Sequence, residues 1–308
     1  MSDGRTAVTL PWSGVGYPGD GAGSAREAFG RAGLGWEVGT EPVYLEGGRE
    51  VPRTRAVVRL DSRAPLGTVS PTWQPVQNWA LADLCDSVVG VSGAKIESVG
   101  QAKGGRIVWC LVELPGGFSV AGDEMKSYML LSNSHDGSQA LRGCITPLRV
   151  ICSNALRLAE RRGSSVVSVR HTPSADARLE HAKRVLSFAV EDLGRFKVQA
   201  EALAARSMTE REVGDFAASM FPIPADGEPD SHPRILAARE AVVSRTLGDG
   251  IGLDRSAIRA TRWSALQGLA EYLDHGRRYR TAEARFSATM LDGTGSLKRR
   301  ALVYLSQN

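Results

Sequence analysis

Between Ser127 and Asn154 the chain reads SYMLLSNSHDGSQALRGCITPLRVICSN, two apolar runs parted by a polar turn. The first run is Tyr128-Met129-Leu130-Leu131, and the second extends from Leu141 to Val150. Asp136-Gly137 between them is turn chemistry, because Gly takes positive φ without a steric penalty. The pattern predicts a central hairpin, with a helix opening near Ser153-Asn154. The same stretch concentrates polar side chains: His135, Asp136, Arg142, Thr146, Arg149, Cys152 and Asn154, with Arg170-His171-Thr172 soon after. A working surface is expected here first.

The rest of the first half is also strand-like. Trp36-Glu37-Val38, Val43-Tyr44-Leu45 and Ala56 to Leu60, with Gly47-Gly48 as a turn, predict another hairpin; Leu66 to Val69 adds a short strand. Lys95 to Val99 and Arg106 to Leu114 predict a third hairpin with Lys103-Gly104-Gly105-Arg106 at its tip. Ile107 to Val112 is apolar without alternation, as in a strand covered on both faces. Ser24 is placed to cap a short helix, Ala25 to Ala32, and Val76 to Val89 carries apolar residues at helical spacing.

From Ser174 the periodicity changes. Ser174 to Arg206 predicts a long helix with Leu179, Ala182, Val185, Leu186, Ala189 and Leu193 on one face. Thr209 and Glu212 form a capping box, and Arg234 to Leu247, Asp254 to Tyr272 and the basic end Leu297 to Leu305 read as further helices. The expected organisation is a flexible arm over 1–22, an α+β core over 23–173 and a helical region over 174–308. Within the last, 222–233 is a proline-rich acidic loop. The fold class is α+β: antiparallel hairpins with a packed helix, then helices.

Composition narrows the function classes. A hydrophobic fraction of 42% and a charged fraction of 23% match soluble globular chains, and no apolar run reaches the ~20 residues of a membrane span. The N-terminus shows no leader pattern, so a cytoplasmic protein is the expectation. Cys85, Cys110, Cys144 and Cys152 contain no C-x-x-C pair and read as reduced apolar residues. Gly14 to Gly19 fits G-x-G-x-x-G in letters only, since Pro18 interrupts it and no helix opens behind it. No cofactor is expected.

Several blocks resemble one known family: Ala32 to Val38, Leu66 to Val69 with Gln77-Asn78, Gly104 to Trp109, Ser134 to Ser138, Thr146 to Asn154 and Arg170-His171-Thr172. They are similar, in order and from about Gly23 to Tyr304, to the phage/plasmid-like protein family, a domain of unknown function. The resemblance implies a mobile-element protein without an assigned activity. At the level of element order it also suggests the ring-forming single-strand annealing proteins of phage recombination, by analogy of fold. The segment 222–233 departs from the pattern.

Three constellations carry chemistry. Arg277-Arg278-Tyr279-Arg280 and Lys298-Arg299-Arg300, interleaved with Tyr272, Phe286 and Tyr304, suit a single strand, where cations track phosphates and rings stack on bases. Lys103, Arg106, Arg142, Arg149 and Arg170 would extend that track. Solvated helix ends explain the same cations without a ligand. Cys152 with His171 or His135, oriented by Asn154 or Asp136, could form a nucleophilic site, although Val150-Ile151 beside Cys152 reads as core. His135, Asp136 and His171 could ligate a metal, yet an Asp-Gly turn accounts for Asp136 alone. The expectation is a non-catalytic, homo-oligomeric nucleic-acid-binding protein of a mobile element that binds or anneals single-stranded DNA in recombination or replication. Its binding residues would be Lys103, Arg106, Arg142, Arg149, Arg170, Arg278, Arg280, Lys298 and Arg299. A hydrolase or nuclease-like enzyme using His135, Asp136, Cys152 and His171 is the alternative, and a host-interaction protein is the third reading.

Overall fold

The computed structural model describes residues 10–150, 154–155, 167–175, 177, 179–180, 182, 190–224, 232–252, 257–291 and 294–307. Its centre is an antiparallel sheet in the order β1 (Gly16–Pro18), β5 (Lys95–Ala102), β6 (Ile107–Val120), β7 (Asp123–Ser134), β8 (Leu141–Arg149) and β10 (Val167–Val169). The short β9 (Asn154–Ala155) pairs with β8. The expected central hairpin is β7–β8, with Met129 opposite Ile145 and Ser132 opposite Arg142. Ile107 to Val112 are all buried, because both faces of the sheet are covered.

One face packs under α1 (Ala25–Arg31) and α2 (Asn78–Ser92), with Val108, Cys110, Met129 and Leu131 meeting Phe29, Leu81, Leu84 and Cys85 in one core. A three-stranded sheet, β2 (Val38–Tyr44), β3 (Glu50–Arg59) and β4 (Pro65–Val69), adds Val38, Val57 and Leu66 to that core. The other face carries Trp109, Leu111, Tyr128 and Leu130 beneath Trp12 and the segment Phe286 to Leu291. Residues 10–22, expected as an irregular arm, therefore put Trp12 into the core and β1 on the sheet edge. The Trp12 indole packs edge-on to Tyr128 and donates to Glu97. Residues 16–18 of the G-x-G-x-x-G segment are strand, and the next helix opens only at Ala25.

The second half is helical: α3 (Val190–Ala204), α4 (Glu210–Met220), α5 (Pro233–Ser244), α6 (Arg262–Glu271), α7 (Ala282–Phe286) and α8 (Thr294–Gln307). Widened π turns continue α5, α6 and α7 over Arg245–Asp249, Tyr272–Gly276 and Ser287–Leu291. Local capping signals hold well in both halves. Ser24 caps α1, and Thr209 with Glu212 closes the capping box of α4. The helix expected over Asp254 to Tyr272 is shorter at its start, because Ala260 turns left-handed and Thr261 caps α6. Of the long helix expected from Ser174, Leu179, Ala182 and Leu193 are buried as predicted; Val185, Leu186 and Ala189 lie outside the described residues.

The helices pack onto the sheet rather than apart from it. Val120 and Met125 share a core with Phe196, Phe216, Trp263 and Leu266, and Phe118 meets Phe196 edge-on at 6.0 Å. Among the described residues two ion pairs are almost fully buried, one across β7 and β8 and one in the helical half. Arg149 grips Asp123 in two-point fashion, with Nε to Oδ2 at 2.9 Å and Nη2 to Oδ1 at 2.8 Å. Lys298 Nζ meets both oxygens of Asp274, at 2.5 and 2.7 Å.

Candidate nucleic-acid interface

Register places the sequence-predicted residues at one end of the central sheet. Ala102 pairs with Ile107 and Ile107 with Ser134, while Ser132, Arg142 and Ser168 are in register across β7, β8 and β10. The turn Lys103–Arg106, the turn after Ser134, the start of β8 and the exit from β10 thus share one rim. Lys103, Arg106 and Arg170 are exposed there and Arg142 is half-buried. Lys103 also lies near enough to Asp136 to help stabilise its carboxylate.

The rim is rigid for reasons visible in its bonds. The His135 amide donates to Arg106 O at 2.7 Å, joining the two turns. Asp136 accepts from the hydroxyl of Ser134 at 2.5 Å and from the Ser138 amide at 2.9 Å. Burial pushes the Asp136 carboxyl up, but these bonds and Lys103 outweigh it, and its pKa falls below the usual value. Strand β4 lies directly on this turn: a Cβ on Gly67 would come within 2.7 Å of Asp136 Cα, so a side chain at residue 67 would lift β4 away.

Behind the rim sits a buried polar cluster strung along residues 74–78. His171 Nδ1 is 3.0 Å from the Gln74 carbonyl, Asn133 Nδ2 donates to Val76 O at 2.8 Å, and His135 Nε2 is 2.8 Å from Asn78 Oδ1. Asn78 Nδ2 donates to Leu34 O and Trp36 O, so its Oδ1 is the acceptor and His135 carries its proton on Nε2. A carbonyl can only accept, so His171 is protonated on Nδ1. His135 Nδ1, His171 Nε2, Asn133 Oδ1 and Trp36 Nε1 make no hydrogen bond among the described residues. Burial, with a smaller push from His171, drives the His135 pKa down to about 3. Burial also lowers that of His171, which stacks on Trp73 at 4.8 Å. Both imidazoles are neutral at ordinary pH.

This geometry separates the predicted residues into groups. His135 and His171 are buried at 0% and 7% exposure and brace the chain, while Asp136 is spent on its own turn. Among the described residues no three His, Cys, Asp or Glu side chains converge as a metal site. Cys152 lies outside the described residues, as does the helix start expected at Ser153; Asn154 stands in β9. Arg149 and Lys298, expected on the phosphate track, are buried at 1% and 2% exposure because each neutralises an interior carboxylate. They offer no charge to a ligand in this fold.

Arg278 and Arg280 are exposed on the segment entering α7, whose Glu283 reaches the Lys103 amide. Arg299 is half-buried on α8. The interleaved aromatics face inward: Phe286 packs on Trp109, Tyr272 on Phe221 and Tyr304 on Phe216, while Tyr279 donates its hydroxyl to Leu273 O. They are not a stacking platform here. A groove of about 690 Å³ opens at the opposite end of the sheet, lined by Lys95, Glu113, Phe118, Glu124, Lys126 and Val150, none of them a predicted residue.

Sequence reading did not assign Asn78, Asn133 and Glu283 to the site. Period-2 alternation was the available signal for Asn133, which falls with Met129 and Leu131 on one side of β7 just ahead of His135.

The fold defines an α+β protein with a basic rim at one end of its sheet. The chain belongs to the family described as Domain of unknown function (DUF932), whose model matches residues 65–291, from β4 through the π turn that follows α7. No curated protein and no solved structure matches the chain. Among the described residues no helix is long and apolar enough to cross a membrane.

Proposed function

We propose that this chain is a nucleic-acid-binding protein of a phage, plasmid or related element, holding single-stranded DNA on the basic rim. Binding or annealing strands in recombination or replication, as a homo-oligomer, is the corresponding role. The observation that carries the reading is the grouping of Lys103, Arg106, Arg142 and Arg170 at one end of the sheet, exposed or half-exposed. From β5 to β10 are four strand spacings, about 19 Å, room for several successive phosphates. Arg278 and Arg280 lengthen the track on the α7 side. The rings pack inside, so the mechanism rests on charge: cations replace the counterions of the backbone, and affinity falls steeply with salt.

Fluorescence anisotropy of labelled single- and double-stranded oligonucleotides across a salt series tests this directly. Wild type is expected to bind the single strand with a steep negative slope of log affinity on log salt. Replacing Lys103, Arg106, Arg142 and Arg170 together by Gln should flatten that slope by about 3, at ~0.7 per lost phosphate contact. The same variant should keep its melting temperature, because none of the four is buried. Absence of binding by wild type at low salt, or an unchanged slope in the variant, would overturn the reading.

A further inference from the structure

The turn that carries Lys103 and Arg106 already holds an anion, and that anion belongs to the chain itself. Lys103, Gly104 and Gly105 are three consecutive residues at positive φ, 55°, 67° and 88°. A turn that presents a backbone N–H to its surroundings offers an anion a donor. At the start of this turn the Lys103 amide donates to Glu283 Oε1 at 2.5 Å. The turn is fixed from behind by the Arg106 amide bond to Lys103 O and by the His135 amide bond to Arg106 O. Neither bond involves Glu283, so the donor stays in place if the carboxylate leaves.

Glu283 itself is exposed, in the first turn of α7, which Thr281 caps. One residue turn further on, Phe286 anchors α7 against Trp109 at a ring separation of 4.4 Å. Residues 277–281 join the π turn Tyr272–Gly276 to α7 and carry Arg277, Arg278 and Arg280 just ahead of Glu283 in the sequence. A carboxylate on a backbone N–H, flanked by Lys103 and Arg106, uses the same donor that a phosphate oxygen would use.

We propose that Glu283 regulates the rim from within: its carboxylate occupies the Lys103 turn, and a single-stranded nucleic acid must displace it to seat a phosphate there. The inference rests on the nucleic-acid reading above and adds an autoinhibitory contact to it. Displacement frees the Lys103 amide for the phosphate.

The test compares Glu283→Gln with Glu124→Gln, each against wild type, by anisotropy with one single-stranded oligonucleotide over a salt series. Both variants raise net charge equally, but Glu124 opens β7 at the far end of the sheet and is also exposed. Glu283→Gln is expected to tighten binding about three- to tenfold, with a salt slope steeper by up to about 0.7, roughly one added phosphate contact. Glu124→Gln should leave both unchanged. Equal gains in the two variants, or none in Glu283→Gln while wild type binds, would overturn the gate and leave the binding reading standing. Failure of all three proteins to bind at low salt would overturn the binding reading itself.

Discussion

Arg149→Met is expected to lower the free energy of unfolding by about 3–5 kcal/mol while leaving the oligonucleotide affinity of the folded protein unchanged. The guanidinium holds both oxygens of Asp123 and donates from Nη1 to Ile251 O at 2.7 Å. Trp263 Nε1 gives the same carboxylate one further bond, at 2.9 Å. Methionine has nearly the right volume but no donor, so Asp123 would stay buried with one hydrogen bond and no countercharge. The loss is large because the pair sits where β7, β8, the Ile251 turn and α6 meet. Urea denaturation followed by circular dichroism measures it. Asp123→Asn combined with Arg149→Met should recover part of the loss, since the amide removes the stranded charge. A single-variant loss under about 1 kcal/mol would show that the charge is relieved by solvent, and a matching fall in the salt slope of DNA binding would return Arg149 to the rim.

That arginine also marks where sequence reading stops. Its partner lies 26 residues away, and the partner of Lys298 lies 24 away. Asp123 meets Arg149 diagonally across the β7–β8 hairpin, where Met125 stands opposite Arg149, and Asp274 meets Lys298 through helix packing; without that register and packing a buried cation reads like a surface one. Features set by neighbouring residues were legible: the β7–β8 hairpin, the two-sided burial of Ile107 to Val112, the Ser24 cap and the Thr209 box. The rim was half legible. Lys103, Arg106, Arg142 and Arg170 could be nominated as cations, but only strand register brings them to one end. Trp12 sat in a Gly- and Pro-rich stretch whose composition suggested an arm, and its burial depends on Tyr128 and Glu97, both distant in sequence. Glu283 carried no local signal, because the turn it meets is 180 residues earlier.

Acid should unfold this protein through His135 before its carboxylates are protonated. In the unfolded chain the imidazole titrates near 6.5, whereas burial holds it to about 3 in the fold. Above pH 6.5 both states are neutral and the residue adds no pH dependence. Below it the unfolded chain takes up a proton that the folded chain refuses, so stability falls by up to about 1.4 kcal/mol per pH unit. Between pH 6.5 and 4 that amounts to on the order of 3 kcal/mol, and the lowered pKa of His171 acts in the same direction. Asp136 contributes in a different window, because its pKa is already below 3.8 and its stabilisation is lost only as pH falls through that lower value. Urea midpoints at pH 7, 6, 5 and 4 should therefore decline for wild type and decline less for His135→Gln, which starts less stable because it disturbs the Asn78 contact. Parallel declines in the two proteins would mean that His135 is solvated and the interior cluster opens readily. The consequence reaches the rim, since the His135 amide fastens the Arg106 turn and its ring fastens the start of α2. Simple charge logic predicts that DNA binding strengthens as acid adds positive charge. A rim braced by neutral imidazoles predicts the reverse: affinity should fall together with the fold across pH 6 to 4.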